Sequence, residues 1–201
     1  MSRLTEYGLI GGRVGSTATI FERLFPDFLK IPYSQPHEYI TECWAAYESS
    51  YPKEAVSTNG KYFELCIATL LIREGLTPFY MGARITFIPN VVYDFILYSP
   101  DNGPICISAK TSLRERYKQA DLEALALKNV HRKSESYLVT LDERESAAVN
   151  EKVGSGDVLA LNLCVYAKGL DLDRFIGRLK QLKFSEAPTV PILSSEKMVT
   201  R

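Results

Sequence analysis

The spacing of apolar residues changes from a helical period to a strand period about a third of the way along the chain. Apolar residues at helical spacing predict a helix starting at Ser16, a second over 36–50 and a third over 61–75, which ends at Gly75. Further along, β-branched and aromatic runs bounded by turn residues predict shorter elements. These are strands at 83–89, 91–99, 105–110, 136–142 and 158–167, and helices from Ser112 to about His131 and over 171–182.

The order of these elements predicts an α/β protein. Helices come first, then three strands, a helix, two strands and a last helix, which is typical of a central mixed sheet flanked by helices. A chain of 201 residues suits a single domain. We expect a helical N-terminal region over 1–58, a core over 59–182 and a loop or edge strand over 183–201.

Composition narrows the class of protein. With 46% hydrophobic residues the chain can form a sizeable core, and no run approaches the length of a membrane span or a signal peptide. The four cysteines are widely spaced without CxxC pairs, and the two histidines lie apart from them, so a zinc site is not expected. We therefore expect reduced, buried cysteines in a cytoplasmic protein without a membrane partner.

Charge is balanced over the whole chain but not along it. There are 24 basic and 24 acidic residues, yet residues 106–133 contain seven Lys or Arg and only three Asp or Glu. A basic zone within an otherwise acidic chain suits a face that meets an anion.

Two charged residues occur where apolar ones are expected. Asp94 interrupts the apolar run of strand 91–99, and Lys110 ends strand 105–110. A carboxylate inside a strand costs several kcal/mol unless it is paired or bound to a metal. Together with Glu64 on the preceding helix, these residues provide the groups needed for metal-assisted phosphodiester hydrolysis. The structural alternative is a buried aspartate that is simply satisfied by a partner.

This pattern resembles the PD-(D/E)XK nuclease core. Asp94, a turn and then Ser108-Ala109-Lys110 match that core's hairpin, except that Tyr93 replaces the proline and Ser108 replaces the second acid. One branch of type II restriction endonucleases, the EcoRII-like and NgoMIV-like enzymes that act on CC/GG-containing sites, carries this acid on the following helix. Glu123 lies 13 residues after Lys110, as in that branch. The resemblance covers about residues 60–145.

The helix after Lys110 has two distinct faces. At about 100° per residue, Arg116, Gln119 and Glu123 share a polar face. Ser112 and Glu115 match a capping box at its start. The apolar face predicted to pack on the sheet contains Leu113, Tyr117, Ala120 and Ala124.

The resemblance implies a set of residue roles. Asp94, Glu123 and Glu64 would hold Mg²⁺, while Lys110 would position the attacking water. Ser108 would orient Glu123 or a ligand water. An arginine can bind guanine and an acid can accept from cytosine, so Arg114, Glu115 and Arg116 are the expected contacts to base edges. Contacts to the DNA backbone are expected from Lys118, Lys128 and Arg132.

The implied function is a Mg²⁺-dependent type II restriction endonuclease. It would cleave double-stranded DNA at a short palindromic CC/GG-containing site, leaving 5′-phosphate and 3′-hydroxyl ends. Cutting both strands with one small catalytic chain would require a homodimer.

Three alternatives remain open from the sequence. The chain could be a repair or junction nuclease with the same core. It could be a non-catalytic DNA-binding module in which Ser108 marks a lost site. It could also carry only an amphipathic surface helix at 110–133, with its charges solvated.

Overall fold

The computed structural model describes residues 2–10, 15–52, 56–88 and 90–188. A short 3₁₀ helix at Phe28–Lys30 accompanies seven α-helices and five strands in these ranges. The helices are α1 (Arg3–Glu6), α2 (Ser16–Leu24), α3 (Pro36–Ser50), α4 (Val56–Arg73), α5 (Arg116–Val130), α6 (Glu143–Ser155) and α7 (Leu170–Leu179). The strands are β1 (Phe79–Ala83), β2 (Tyr93–Ser99), β3 (Gly103–Lys110), β4 (Glu135–Thr140) and β5 (Leu163–Tyr166).

The five strands form one mixed sheet in sequential order. β1, β2 and β3 pair antiparallel, as connections by short loops require. β4 then lies parallel to β3, and β5 lies parallel to β4. Each parallel step passes through a helix, α5 and then α6, because a parallel connection must return along the sheet. The predicted α/β class with a central mixed sheet is confirmed.

Alternate residues of the strands face two helical layers. Phe95, Ile107 and Val139 belong to the large core shared with α2, α3, α4 and α7. On the opposite face, Cys106 packs with Leu127 of α5 and Leu138 packs with the α6 side. The period of two in a strand sends neighbouring residues to these two layers. The N-terminal helices therefore share the core of the sheet.

Two predicted strands were placed or bounded wrongly. The strand predicted over 83–89 lies instead at β1, and residues 84–88 form a turn in which Phe87 has a φ of 69°. Pro89 lies outside the described residues. Ile85 and Ile88 in this turn are apolar because they pack against the second face of the sheet, not because they pair within it. Apolar content alone does not distinguish these two situations.

The strand predicted over 158–167 is shorter in the structure, because the side chain of an aspartate accepts hydrogen bonds from backbone N–H groups near its predicted start. The Asp121 carboxylate accepts hydrogen bonds from the backbone N–H groups of Leu159, Ala160 and Leu161 at 3.0, 2.7 and 3.0 Å. Regular pairing with β4 is therefore confined to β5. Val158 and Leu161 are buried, but they pack beneath the α5–α6 layer outside regular strand structure.

The helix after Lys110 starts later than predicted. It begins at Arg116, and the predicted capping box of Ser112 and Glu115 is wrong: Glu115 occupies the N-cap position without a side-chain capping bond and forms an ion pair with Lys118. Residues 111–115 form a loop in which Arg114 has a φ of 47°. Of the predicted apolar face, Leu113 lies in this loop and packs with Tyr117 and Ala120 of α5, and Ala124 is fully buried.

Helix α6 was not predicted. Its sequence has few apolar residues, and only Ser146 and Val149 are buried, so its helical period is weak. Two signals mark its ends: Asp142 accepts from the N–H of Glu145, and Gly156 ends the helix with a φ of 84°. An Asp-x-x-Glu start and a glycine stop are typical signals of the two ends of a helix.

All four cysteines are free and buried. Among the described helices, none combines the length and the apolar character of a transmembrane segment. The last described residues follow α7 along the sheet, where the Ser185 N–H donates to the Tyr98 carbonyl at 3.0 Å. Of the tail over 183–201, residues 189–201 lie outside the described residues.

Candidate active site

Asp94 and Lys110 meet where β2 and β3 separate. The pairing of these strands starts at Phe95 and Ile107, so Asp94 lies one residue outside it. The Asp94 carboxylate takes the place of the missing backbone acceptor: its Oδ2 accepts from the Ala109 N–H at 2.8 Å and from Lys110 Nζ at 2.7 Å. The strand ends thus bring the two charged residues together, as their sequence positions predict.

The Asp94–Lys110 pair is only partly shielded from solvent. The side chain of Asp94 is 18% exposed and that of Lys110 is 31% exposed. Two charges at this depth attract one another more strongly than at a free surface, because less water screens them. The pair therefore satisfies the carboxylate that interrupts the apolar strand, and it remains reachable from outside.

Glu64 adds a second carboxylate near the Asp94–Lys110 pair, from the helical layer opposite α5. It lies on α4, and the pKa of its carboxyl is raised, first by burial and then by the negative charge of Asp94. The positive charges of Lys110 and Lys61 act in the opposite direction. Glu64 is thus within electrostatic range of both Asp94 and Lys110, and two carboxylates share one partly buried region.

Glu123 approaches the same strands from α5. Its carboxylate Oε1 accepts from Gln119 Nε2 at 2.7 Å, and its backbone carbonyl accepts from the Tyr93 hydroxyl at 3.3 Å. The charge of Glu123 adds to burial in raising the pKa of Tyr93 and of Cys106. Glu123 therefore lies against the α5 face of β2 and β3, and its carboxylate is bonded within its own helix.

Ser108 shares a strand face with Lys110. It is half-buried and lies two residues before the lysine, so the two side chains project from the same side of β3. By the same alternation Ser108 faces the layer that contains α5 and Glu123.

The predicted base-contacting residues form an exposed group beside this region. Arg114 and Glu115 lie in the β3–α5 loop and Arg116 is the first residue of α5, and all three are exposed. Lys118 is also exposed and is paired with Glu115. The remaining backbone-contact candidates lie further along, Lys128 half-buried in the last turn of α5 and Arg132 exposed after it.

Two contacts that support the site were not predicted from the sequence. Glu145, at the start of α6, accepts from the N–H groups of Leu113 and Arg114 at 2.6 and 2.9 Å. Tyr93, the residue before Asp94, donates a hydrogen bond from its hydroxyl to the Glu123 backbone carbonyl. The Asp-x-x-Glu start of α6 could have drawn attention to Glu145, whereas no local pattern indicates a tyrosine that bonds to a helix 30 residues away.

The oxygen donors present suit a hard divalent cation. Carboxylates are preferred ligands of Mg²⁺, and the mutual repulsion that helps to raise the Glu64 pKa is what a bound cation would relieve. In the described part of the chain, no three Asp, Glu, His or Cys side chains are grouped as ligands for one metal ion. Asp94 and Glu64 are carboxylates that act on one another electrostatically, and Glu123 lies on α5 with its backbone bonded to Tyr93 of β2.

The mixed sheet with helices on both faces is a restriction-endonuclease-like fold, because it resembles that of a solved restriction endonuclease. The chain is similar to the solved structure of the restriction endonuclease PspGI in complex with substrate DNA, with a TM-score of 0.55. The match covers 85% of this chain and 83% of that chain, at 18% sequence identity. At this identity the likeness is one of fold. No protein-family model matches the sequence, and no curated protein sequence matches it.

Proposed function

We propose that the protein is a Mg²⁺-dependent endodeoxyribonuclease of the type II restriction class, acting on double-stranded DNA. The observation that carries this proposal is the partly buried Asp94–Lys110 pair, placed where β2 and β3 separate in a restriction-endonuclease-like sheet. An ion pair that is only partly buried contributes little to the stability of the folded protein. A catalytic centre, by contrast, needs charged groups that are both fixed and accessible.

The proposed reaction is hydrolysis of a phosphodiester. A water oxygen attacks phosphorus, the bond to the 3′-oxygen breaks, and the products are a 5′-phosphate and a 3′-hydroxyl. Lys110, held by Asp94, positions the attacking water and offsets the charge of the phosphate. The cation, when bound, supplies Lewis acidity at the phosphate and lowers the pKa of water. Asp94 and Glu123 are the proposed ligands, with Glu64 assisting.

Sequence specificity is assigned in this proposal to the exposed group Arg114, Glu115 and Arg116. Arginine can donate two bonds to guanine, and glutamate can accept from the amino group of cytosine, so a short CC/GG-containing palindrome is the proposed target. Lys118, Lys128 and Arg132 would contact phosphates. Ser108 would orient Glu123 or a water on the cation.

The alternative function is DNA binding without catalysis. It is favoured by Ser108, which stands in place of a second acid, and by the carboxylate of Glu123, which is bonded to Gln119 in the described structure. The same core acting in repair or junction cleavage is a further possibility, distinguished by cutting that depends on DNA shape and not on sequence.

Incubation with phage DNA and Mg²⁺ separates these functions. Discrete fragments whose sequenced ends share one short palindrome would support the restriction proposal, and parallel reactions with Ca²⁺ or EDTA serve as controls. Cutting only at branched or damaged substrates would favour the repair alternative. DNA that is bound but uncut, in Mg²⁺ and in Mn²⁺, would overturn the nuclease proposal.

A further inference from the structure

The loop between Lys110 and α5, residues 111–115, is attached to the rest of the fold at both ends. At its start, Lys110 pairs with Thr140, the last residue of β4. At its far end, the Leu113 and Arg114 N–H groups donate to the two oxygens of Glu145, at 2.6 and 2.9 Å. Both attachments therefore lead to one short stretch of chain, the junction between β4 and α6.

Glu145 is itself held in place. Its own N–H donates to Asp142 Oδ1 at 2.9 Å, which fixes it in the first turn of α6. The next residue, Ser146, is buried and donates from its hydroxyl to the Cys164 carbonyl at 3.0 Å. The carboxylate thus projects from a rigid helix start, so it can constrain the loop it bonds to.

The bonds from Glu145 act at a strained point of the loop. Arg114 has a φ of 47°, a left-handed conformation that costs free energy for a residue with a side chain. A carboxylate that accepts two successive backbone N–H groups makes strong, charge-assisted bonds, which offset this cost. Leu113, fully buried beside Val149 of α6, anchors the same point by packing.

We infer that Glu145 is a positioning residue that determines DNA sequence discrimination, by holding the Arg114–Arg116 segment at a fixed place relative to Lys110. This inference rests on the proposed function. Without the two bonds, Arg114 would be free to leave the left-handed region, and the segment that follows it would sample several orientations. Contacts to base edges depend on such placement, whereas the Asp94–Lys110 pair is held by its own bonds.

The consequence is a separation between discrimination and chemistry. Wrong placement of the Arg114–Arg116 segment weakens the complex with the correct site more than it weakens complexes with sites that differ by one base pair. A variant that lacks the bonds should lose selectivity, while the Lys110 centre continues to cleave DNA that is already bound.

Glu145→Ala and Glu145→Gln test this directly, with Glu151→Gln, an exposed position on the same helix, as the matched control. First, backbone hydrogen exchange is measured by NMR without DNA. The Leu113 and Arg114 amides should exchange at least about 10-fold faster in Glu145→Ala, with the β3 and β4 amides unchanged. Glu145→Gln, which keeps one acceptor oxygen, should lie between Glu145→Ala and the control.

Second, cleavage is measured on duplexes that carry the palindrome found with the wild-type protein, or that palindrome with one base pair changed. The ratio of the two kcat/KM values should fall at least about 10-fold in Glu145→Ala, mainly through KM on the correct site, and should be unchanged in Glu151→Gln. Faster amide exchange with an unchanged ratio, or unchanged exchange, would overturn the inference and leave the nuclease proposal standing. A wild-type protein that cuts no DNA would overturn both, and the exchange result would then report only a structural bond.

Discussion

Asp94 illustrates how a single residue can mark a site before the fold is known. Its carboxylate lies in a strand that is otherwise apolar, where the free-energy cost of burial demands a partner. The structure provides two, the Ala109 N–H and Lys110 Nζ. From the sequence, Asp94 was expected to need a partner or a metal, and the hairpin match put Lys110 on the neighbouring strand. The proposed metal role of Asp94 stays a prediction.

Glu64 gives a test that does not depend on nuclease activity. Burial and the charge of Asp94 raise the pKa of Glu64 above its ordinary value of 4.5. Between 4.5 and the folded pKa, the folded protein holds a proton that the unfolded chain has lost, so stability falls as pH rises through this window. Glu64→Gln has no carboxyl at this position, so the variant does not lose this stability as the pH rises. In EDTA the variant should melt at a higher temperature than the wild type at pH 8, with no such gain at pH 4.

The matched control for this melting experiment is Glu48→Gln, an exposed glutamate on α3. It should leave the melting temperature within about 1 °C at both pH values, as surface substitutions usually do. A Glu64→Gln protein that melts at or below the wild-type temperature at pH 8 would show that the Glu64 carboxylate is not strained by its surroundings.

At the scale of elements, the sequence predicted the structure best where a single period is strong. The strands β2 and β3 and the helices α3 and α7 lie where the apolar pattern places them, within a few residues. The failures have long-range causes. Glu145 holds 111–115 out of the helix, and Asp121 holds 159–161 out of the strand. A side chain that captures backbone N–H groups from another element leaves no mark in the captured segment.

The residues of the candidate site likewise fall into those whose position the sequence could predict and one whose position it could not. Asp94, Ser108 and Lys110 could be placed from strand alternation, because neighbouring strands fix which residues meet. The arrangement of Glu123 could not, since it depends on how α5 packs on β2 and on the Tyr93 bond to its backbone. Helical spacing predicts the face on which a residue lies, but not the distance from that face to a strand.

The Tyr93 hydroxyl is expected to stabilise the contact between α5 and β2. Tyr93 is 2% exposed and donates to the Glu123 carbonyl at 3.3 Å. Tyr93→Phe removes this bond while keeping the ring, and should lower the free energy of unfolding by about 1 kcal/mol. Urea denaturation followed by circular dichroism measures the change.

A matched control for this bond is Tyr117→Phe, a half-buried tyrosine on α5 itself. Its effect should stay within about 0.5 kcal/mol, the range of surface substitutions. Equal stability of Tyr93→Phe and the wild type would mean that the long 3.3 Å bond contributes nothing and that packing alone places Glu123.

For the whole molecule, the proposed cleavage of both strands implies two catalytic chains. Each chain provides one Asp94–Lys110 pair, and a palindrome presents two equivalent phosphates, so a two-fold homodimer matches the substrate. Sedimentation velocity should give a species of twice the 22.6 kDa chain mass, in free solution or on a palindromic duplex. A monomer under both conditions, together with cutting of both strands, would contradict this assembly.

A single-turnover cleavage rate tests whether the Asp94–Lys110 pair is a catalytic centre. Lys110→Ala is compared with Lys30→Ala, a lysine that is 83% exposed on the N-terminal region, at enzyme concentrations that saturate the DNA. A catalytic role for the pair predicts that Lys110→Ala still binds DNA but cleaves it at least about 10²-fold more slowly, the loss typical of a charge-stabilising group, while Lys30→Ala cleaves at the wild-type rate. A Lys110→Ala protein that cleaves within a few-fold of the wild type would contradict it.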